Sequence, residues 1–449
     1  MPGGINRDPD EILFKPVLET GWAFYLTVAL LVSVILWAVY AYALQLRYGL
    51  GVTGLNRPVY WGIYIVNFVF FIGISHAGTL ISAILRLCKA EWRRSITRAA
   101  ETITVLVLFF GVASIILDMG RPDRLLLVIT DAHFVSPLLW DVTAVGVYLT
   151  ASTVYLYLPL IPDIALLRDR VTDWRQPLYR ALAVGWQGTP RQVRVLDRGI
   201  AVMAVAVIPI AVSVHTVVAW VFSMTVQPLW RSSIFGPYFV MGAIYSGIAA
   251  LILAMGVIRR AYGLRGYLRA VHFRHLGTLL LVMNLLWFYF VFAEHLTVFY
   301  GKDPHEMRVF TEHLAGGYAP VFWTTVGLMT LVFLILVVDR LPFDVLRRHS
   351  IGASVMAASL VTVGMWLERL VVVVPSLVNP RLPYARGLYR PTWIEWALLA
   401  GAVAAFLLLY VLFTKLFPIV SIWEVKEGRE RALPETEERI KTYLPAPSA

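Results

Sequence analysis

The 449-residue sequence predicts an all-α protein that crosses a membrane ten times, and three observations predict it. Hydrophobic residues make up 59% of the chain and charged residues only 15%, against about 25% in a soluble protein. Mean hydropathy is +0.71. The apolar residues form continuous runs of about twenty or more, enough to cross a hydrocarbon core of about 30 Å at about 1.5 Å per residue. Lipid offers no partner to an open sheet edge, so each run reads as a helix; a barrel would need short alternating strands. The same composition excludes an ordinary soluble enzyme, a disordered chain and a nucleic-acid binder.

The spans follow in order. Trp22–Leu46 is free of charge from end to end. Tyr60–Leu87 carries His76 and closes on Arg86. Ala99–Leu117 stops at Asp118. Pro137–Leu160 opens on a proline, which suits the first helical turn. Gly199–Met224 holds Pro209 and His215. Gly236–Ile258 stops at two arginines. His275–Tyr300 stops at Gly301, and Tyr318–Val338 at Asp339. Gly352–Val374 stops at Pro375, and Trp393–Thr414 at Lys415. Residues 1–21 and 415–449 flank this membrane domain of residues 22–414. The N-terminal MPGGINRDPDEILFKPVLET is polar and acidic, so no cleavable signal peptide is expected. The single Cys88 excludes a disulfide framework and a cysteine-ligated cluster.

An even number of spans puts both termini on one side. The terminal segments and the even-numbered loops carry 27 of the 39 Lys and Arg; the odd-numbered loops carry 10, and Arg86 and Arg369 fall within spans. By the positive-inside rule both termini are expected in the cytoplasm, so the net charge of +11 needs no acidic partner. The loops Arg47–Val59 and Asp118–Ser136 are then outside. The long loop Ile161–Arg198 is inside and reads as an interfacial amphipathic stretch.

Ionisable groups within a span are functional candidates, because lipid makes each one costly. Ser75, Gly78, Thr79 and Ser82 form a small polar stripe on span two that suits close helix packing. His76 beside it is either a hydrogen-bonded structural group or a proton carrier. Asn67 shares the face of Tyr60, Tyr64 and Phe71, a wall suited to an aromatic ring ligand. Asp118 and Arg121 in LDMGRPDR, and Asp141 in SPLLWDV, are expected to converge at the outer interface if spans three and four are neighbours. They read as an ion pair closing a hairpin, or as a site where a carboxylate takes a proton from a bound hydroxyl. Glu294 and His295 lie one to two turns from the outer end of span seven. Glu368 and Arg369 lie about two turns into span nine; Arg369 can snorkel outward, but Glu368 points about 100° away. His215 sits in the outer half of span five. Glu101 sits near the inner end of span three, where it reads as a surface cap. Glu294, His295, Glu368, His215 and Glu101 are the expected proton path. Paired histidines suited to haem, and clusters suited to zinc or iron–sulfur, are absent, so no haem, iron–sulfur cluster or metal is expected in this chain.

These residues resemble the NrfD/PsrC family of integral membrane subunits, which exchange electrons between quinones and membrane-attached iron–sulfur subunits. The carriers are GISHAGTLISAIL around His76, the GRP of Gly120–Pro122, SPLLWDV around Asp141, IFGPYFVMGAIYSG from Ile234 and MWLERLVVVVPSL around Glu368. The likeness spans nearly the whole chain. Ten spans, the YRPTW stretch at Tyr389–Trp393 and the FPIVSIWEVK tail look most like the ActC subunits of bacterial alternative complex III. Two positions depart from the family: Asp118 stands where many relatives have a histidine, and Arg231 follows Trp230 where relatives often have Trp-His.

The resemblance implies two four-helix bundles with flanking helices. It implies a quinol site, for which menaquinol is the expected substrate, near the periplasmic side of a bacterial inner membrane. Asp141, Asp118 and His76 would handle protons there, and Asn67, Tyr64, Phe71 and Arg121 would hold the ring. The implied partners are c-type cytochrome subunits, an extracytoplasmic iron–sulfur subunit, other membrane subunits and lipid, in a respiratory or photosynthetic complex that can also move protons. Two alternatives stay open. One is a polysulfide-reductase-like or sulfur- or hydrogen-metabolism complex; the other is a proton-coupled transporter, although only Pro209 breaks a span midway.

Overall fold

A computed structural model of the chain describes residues 11–341 and 344–430, without the side chains of 344–349. Residues 1–10 and 431–449, parts of the expected terminal segments, lie outside the described residues. Ten helices long and apolar enough to cross a membrane occur among the described residues, and the chain there is otherwise short helices, turns and loops. The helices are α1 Glu11–Leu18, α2 Trp22–Tyr48, α3 Ile63–Leu87, α4 Thr97–Asp118, α5 Leu127–Thr130, α6 Pro137–Arg170 and α7 Gln176–Leu182. They continue as α8 Pro190–Ser223, α9 Phe235–Ala261, α10 Ala270–Gly301, α11 Pro304–Leu314, α12 Ala319–Arg340, α13 Asp344–Val378 and α14 Trp393–Leu416.

Helices α3, α4, α6 and α8 pack into one four-helix bundle, and α9, α10, α12 and α13 into a second. Helix α3 also packs on α9 and α13, which makes it the axis joining the bundles. It is buried from Ile63 to Ala83. Its small stripe explains this. Water drives no helix together within lipid, so close backbone approach has to supply the contact. A Cβ at Gly78 would lie 2.1 Å from the Ala100 carbonyl oxygen, so only glycine permits this crossing of α3 and α4. Helices α2 and α14 pair outside the bundles, and α2 buries only Ala38, Ala41 and Gln45.

The helices overrun the apolar sequence on the face that carries the termini. Helix α6 continues ten residues past Leu160, and α8 begins nine residues before Gly199, leaving only the short α7 between them. Thr189 starts α8 with a capping box to Gln192, and Pro190 fills its first turn. Buried ion pairs let charged residues join the helices there. Arg98 and Asp163, both fully buried, form an ion pair between α4 and α6. Asp163 also accepts the backbone N–H of Ile422 (3.0 Å) and Trp423 (2.8 Å). The chain after α14 is thereby folded back onto this face. Glu424 is clamped there by Arg86 and Arg93. Burial alone would raise its carboxyl, but Arg86, Arg93 and Arg98 outweigh burial and hold it below the usual range.

The odd-numbered loops knit together the opposite face. Arg386, between α13 and α14, pairs with Glu312 on α11. Glu395 on α14 accepts from Tyr389 (2.6 Å) and from Gly54 N–H (2.8 Å). Trp230 Nε1 donates to Val372 O at 2.8 Å.

Candidate functional site

Three groups of polar side chains lie inside the membrane domain. The first is at the opposite-face end of α3, α4 and α6. Asp118 ends α4 and Asp141 lies in the first turns of α6, two helices that pack together. Each has a buried carboxylate oxygen with no hydrogen-bond partner among the described residues, and Asp141 is only 5% exposed. Tyr64 is close enough to Asp118 and Glu395 to feel both charges, and its hydroxyl donates to Gln45 Oε1 at 2.6 Å. Asn67 Oδ1 accepts from Trp366 Nε1 at 2.9 Å, and Trp366 packs against Trp396 of α14. Phe71 is buried against Phe110 of α4. Arg121 is not brought to this group: it pairs with Asp123 at 3.1 Å, and both are exposed.

The second group is a buried column that runs between the bundles. Glu368 of α13 accepts from Tyr238 of α9 and forms an ion pair with Arg369 at 3.2 Å. Arg369 does not snorkel. It is 1% exposed and lies over the Phe239 ring. Room for it comes from Gly242, where a Cβ would lie 2.3 Å from Arg369 Nη2. Arg369 acts electrostatically on His215 of α8, whose ring contacts that of His76. His76 shares α3 with Ser75, Thr79 and Ser82. Thr79 bonds the Tyr148 hydroxyl at 2.5 Å, and Ser82 donates to Glu101 at 2.6 Å. Glu101 is buried to 2% exposure, not placed on the surface. Ser82 also meets Tyr155 at 3.2 Å, and Glu101 feels the charges of Arg86 and Glu424 on the termini face. The stripe thus both packs α3 and carries hydroxyls into this column.

The third group surrounds a cavity of about 70 Å³ in the second bundle, on its opposite-face side. Glu294, His295, His313 and Glu368 line it together with Trp287, Tyr238 and Phe322. His295 Nδ1 bonds Val291 O at 2.8 Å, while its Nε2 has no partner. His313 stacks on Phe322, and neither of its ring nitrogens has a partner. Burial, with the His295 ring close by, pushes His313 down to about 3, so it is neutral at physiological pH. Among the described residues no group of three His, Cys, Asp or Glu could hold a metal ion.

Several of these residues escaped the sequence reading. His313 lies between spans, so no cost of lipid burial singled it out. Trp366 and Tyr238 look like ordinary span aromatics. Arg98 and Asp163 fall in stretches that read as loop. The GPYFVMGAIYSG run around Gly242 was the available signal for the Arg369 niche, since a glycine within a span marks a close approach.

The family model described as polysulphide reductase, NrfD, matches residues 51–380. The chain is 29% identical over 254 residues to the putative C-type membrane subunit of a dimethyl sulfoxide reductase of Halobacterium salinarum. That alignment covers 55% of this chain and 54% of the relative, so the chain matches about half of that protein's length. It is 23% identical over 432 residues to the C component of the selenate reductase of Mesobacillus selenatarsenatis. It is also 23% identical over 432 residues to the Hdr-like menaquinol oxidoreductase integral membrane subunit of Archaeoglobus fulgidus. Each of these two alignments covers 92% of this chain and 98% of the relative.

Proposed function

The chain belongs to the NrfD family, and on that premise we propose that it is the integral membrane subunit of a quinone-linked oxidoreductase complex, where it binds and oxidises quinol. The observation that carries this reading is the pair of membrane-embedded carboxylates, Asp118 and Asp141, each with an unpartnered oxygen, beside Tyr64, Asn67 and Trp366. A quinol gives up two protons and two electrons, so its site needs a base within reach of a hydroxyl. Asp141 is that base. Asp118 sits at the mouth, Asn67 and Tyr64 orient the ring, and Phe71 closes the wall behind them. Arg121 acts at the surface, through Asp123, rather than on the ring.

Electrons leave to an iron–sulfur subunit on the opposite face and continue to c-type cytochrome subunits, as in alternative complex III. A menaquinol oxidoreductase among the relatives supports menaquinol as the substrate. Relatives named for dimethyl sulfoxide and selenate reductases favour a second reading, in which the same quinol oxidation supplies a terminal reductase. The column from Glu368 through His215 and His76 to Glu101 gives protons a route between the faces, with Glu294 and His295 near its mouth. The excess of Lys and Arg on the termini face supports cytoplasmic termini in a bacterial inner membrane.

The test is to purify the assembled complex and locate its quinone. We expect menaquinone in the lipid extract and ring density among Tyr64, Asn67 and Asp141. A ring bound only at the termini face would overturn the reading.

A further inference from the structure

We infer that the cavity in the second bundle is a separate binding site for a planar ring with hydrogen-bonding oxygens at its ends, a quinone or hydroquinone headgroup. The identity of the ring rests on the quinol reading above; the site does not. It is built by α9 to α13 and the loop before α9, and shares no residue with the Asp118 and Asp141 group.

Unpartnered buried polar atoms on four side chains converge on this space: Trp287 Nε1, His295 Nε2, both ring nitrogens of His313, and Glu368 Oε2. Glu368 Oε2 lies 3.2 Å from Arg369 but lacks hydrogen-bond geometry to it. Buried polar groups are rarely left this way without an occupant. The tautomer of His295 is set by its backbone bond. Nδ1 donates to Val291 O, so in the neutral ring Nε2 keeps its lone pair and accepts. Glu368 also accepts, whereas Trp287 Nε1 can only donate. The set therefore answers both hydroxyl and carbonyl oxygens.

The two acceptors lie at different depths. Counted from the ends of their helices at about 1.5 Å per residue, His295 is about 9 Å and Glu368 about 15 Å below the opposite face. A ring with an oxygen at each end spans that offset. The remaining wall is apolar and aromatic, with Trp287, Tyr238 and Phe322 supplying ring faces. Water would fill the space, but a buried water needs two to four polar partners, and these polar atoms sit on separate walls. A ring satisfies them at its edge and packs its faces on the aromatics. Glu368, which starts the buried column, would then meet the ligand directly.

The experiment titrates the purified complex with 2-heptyl-4-hydroxyquinoline N-oxide, a fluorescent quinol analogue whose emission is quenched on binding. Two equivalents are expected in the parent. One is expected in Thr325→Phe, which fills the cavity and removes only a local hydroxyl bond to Val321 O. One is expected as well in His313→Phe, which keeps the stack on Phe322 and serves if the first variant fails to assemble on gel filtration. An unchanged number of equivalents in both variants overturns the second site and leaves the quinol reading standing. No quenching in the parent overturns both.

Discussion

The imidazole rings of His76 on α3 and His215 on α8 lie 3.7 Å apart, centroid to centroid, at 71°. His76 Nε2 bonds Ala211 O at 3.0 Å, while His76 Nδ1 and both nitrogens of His215 have no partner among the described residues. On one side is the Glu368 and Arg369 pair, and on the other are the Tyr148 and Thr79 hydroxyls. Two imidazolium charges this close would repel strongly, so the pair can hold one proton at a time and hand it on.

His76→Phe and His215→Leu should each slow quinol-driven proton movement by about 10²-fold, the usual loss when a proton-transfer group is removed. The measurement is pH-dye uptake in vesicles containing the complex, with assembly checked by gel filtration. Glu368→Gln and Glu294→Gln should act in the same direction. Unchanged turnover and proton stoichiometry in all four variants would make these groups structural.

Asp141→Asn should cut quinol oxidation by about 10²- to 10⁴-fold without dissociating the complex. Asp118→Asn should give a weaker and less uniform loss, because Asp118 is less buried. Arg121→Ala should change little, since its partner is the exposed Asp123. Steady-state oxidation of a short-chain menaquinol reads all three. Normal rates in Asp141→Asn would remove it as the base.

Glu424 makes the anchorage of the chain after α14 sensitive to acid. Its native carboxyl is held below the ordinary range by Arg86, Arg93 and Arg98 against the effect of burial. A carboxylate depressed in this way stabilises the fold above its unfolded pKa, about 4.3, and that contribution is lost as pH falls through the native value. Limited proteolysis after α14 should therefore stay slow at neutral pH and accelerate well below pH 4. Glu424→Gln should make cleavage fast at neutral pH as well, since breaking a buried ion pair costs about 3–5 kcal/mol.

A periplasm-dependent reporter fused after Ala449 should be inactive, and one inserted at Asp131 active. The reverse pattern would invert the orientation drawn from the distribution of lysine and arginine.

The spans were legible because lipid imposes a local rule: about twenty apolar residues for each crossing, whatever lies around them. Their outer limits were not. Asp163 and Arg98 look unfit for a buried helix until each is seen to pair with the other across two helices. The membrane interior also marked Glu294, His295, Glu368, His76 and His215 as costly, so the sequence could name them one at a time. Which of them meet could not be read. Arg369 looked free to snorkel because nothing local shows that Gly242, on another helix, opens a niche for its guanidinium. Asp118, Arg121 and Asp141 looked like one cluster because they are close in sequence, yet Arg121 turns to its near neighbour Asp123.

By itself, then, the sequence determined the all-helical class, ten crossings, the asymmetry of charge and the set of groups too polar for lipid. These follow from composition and hydrogen-bond satisfaction along a single chain segment. Only the tertiary structure decided that α3 is the axis of two bundles, that His76 meets His215, and that His313 from a loop joins His295 and Glu368 around one cavity. Those meetings depend on helix rotation and crossing, which side chains far apart in sequence settle by packing.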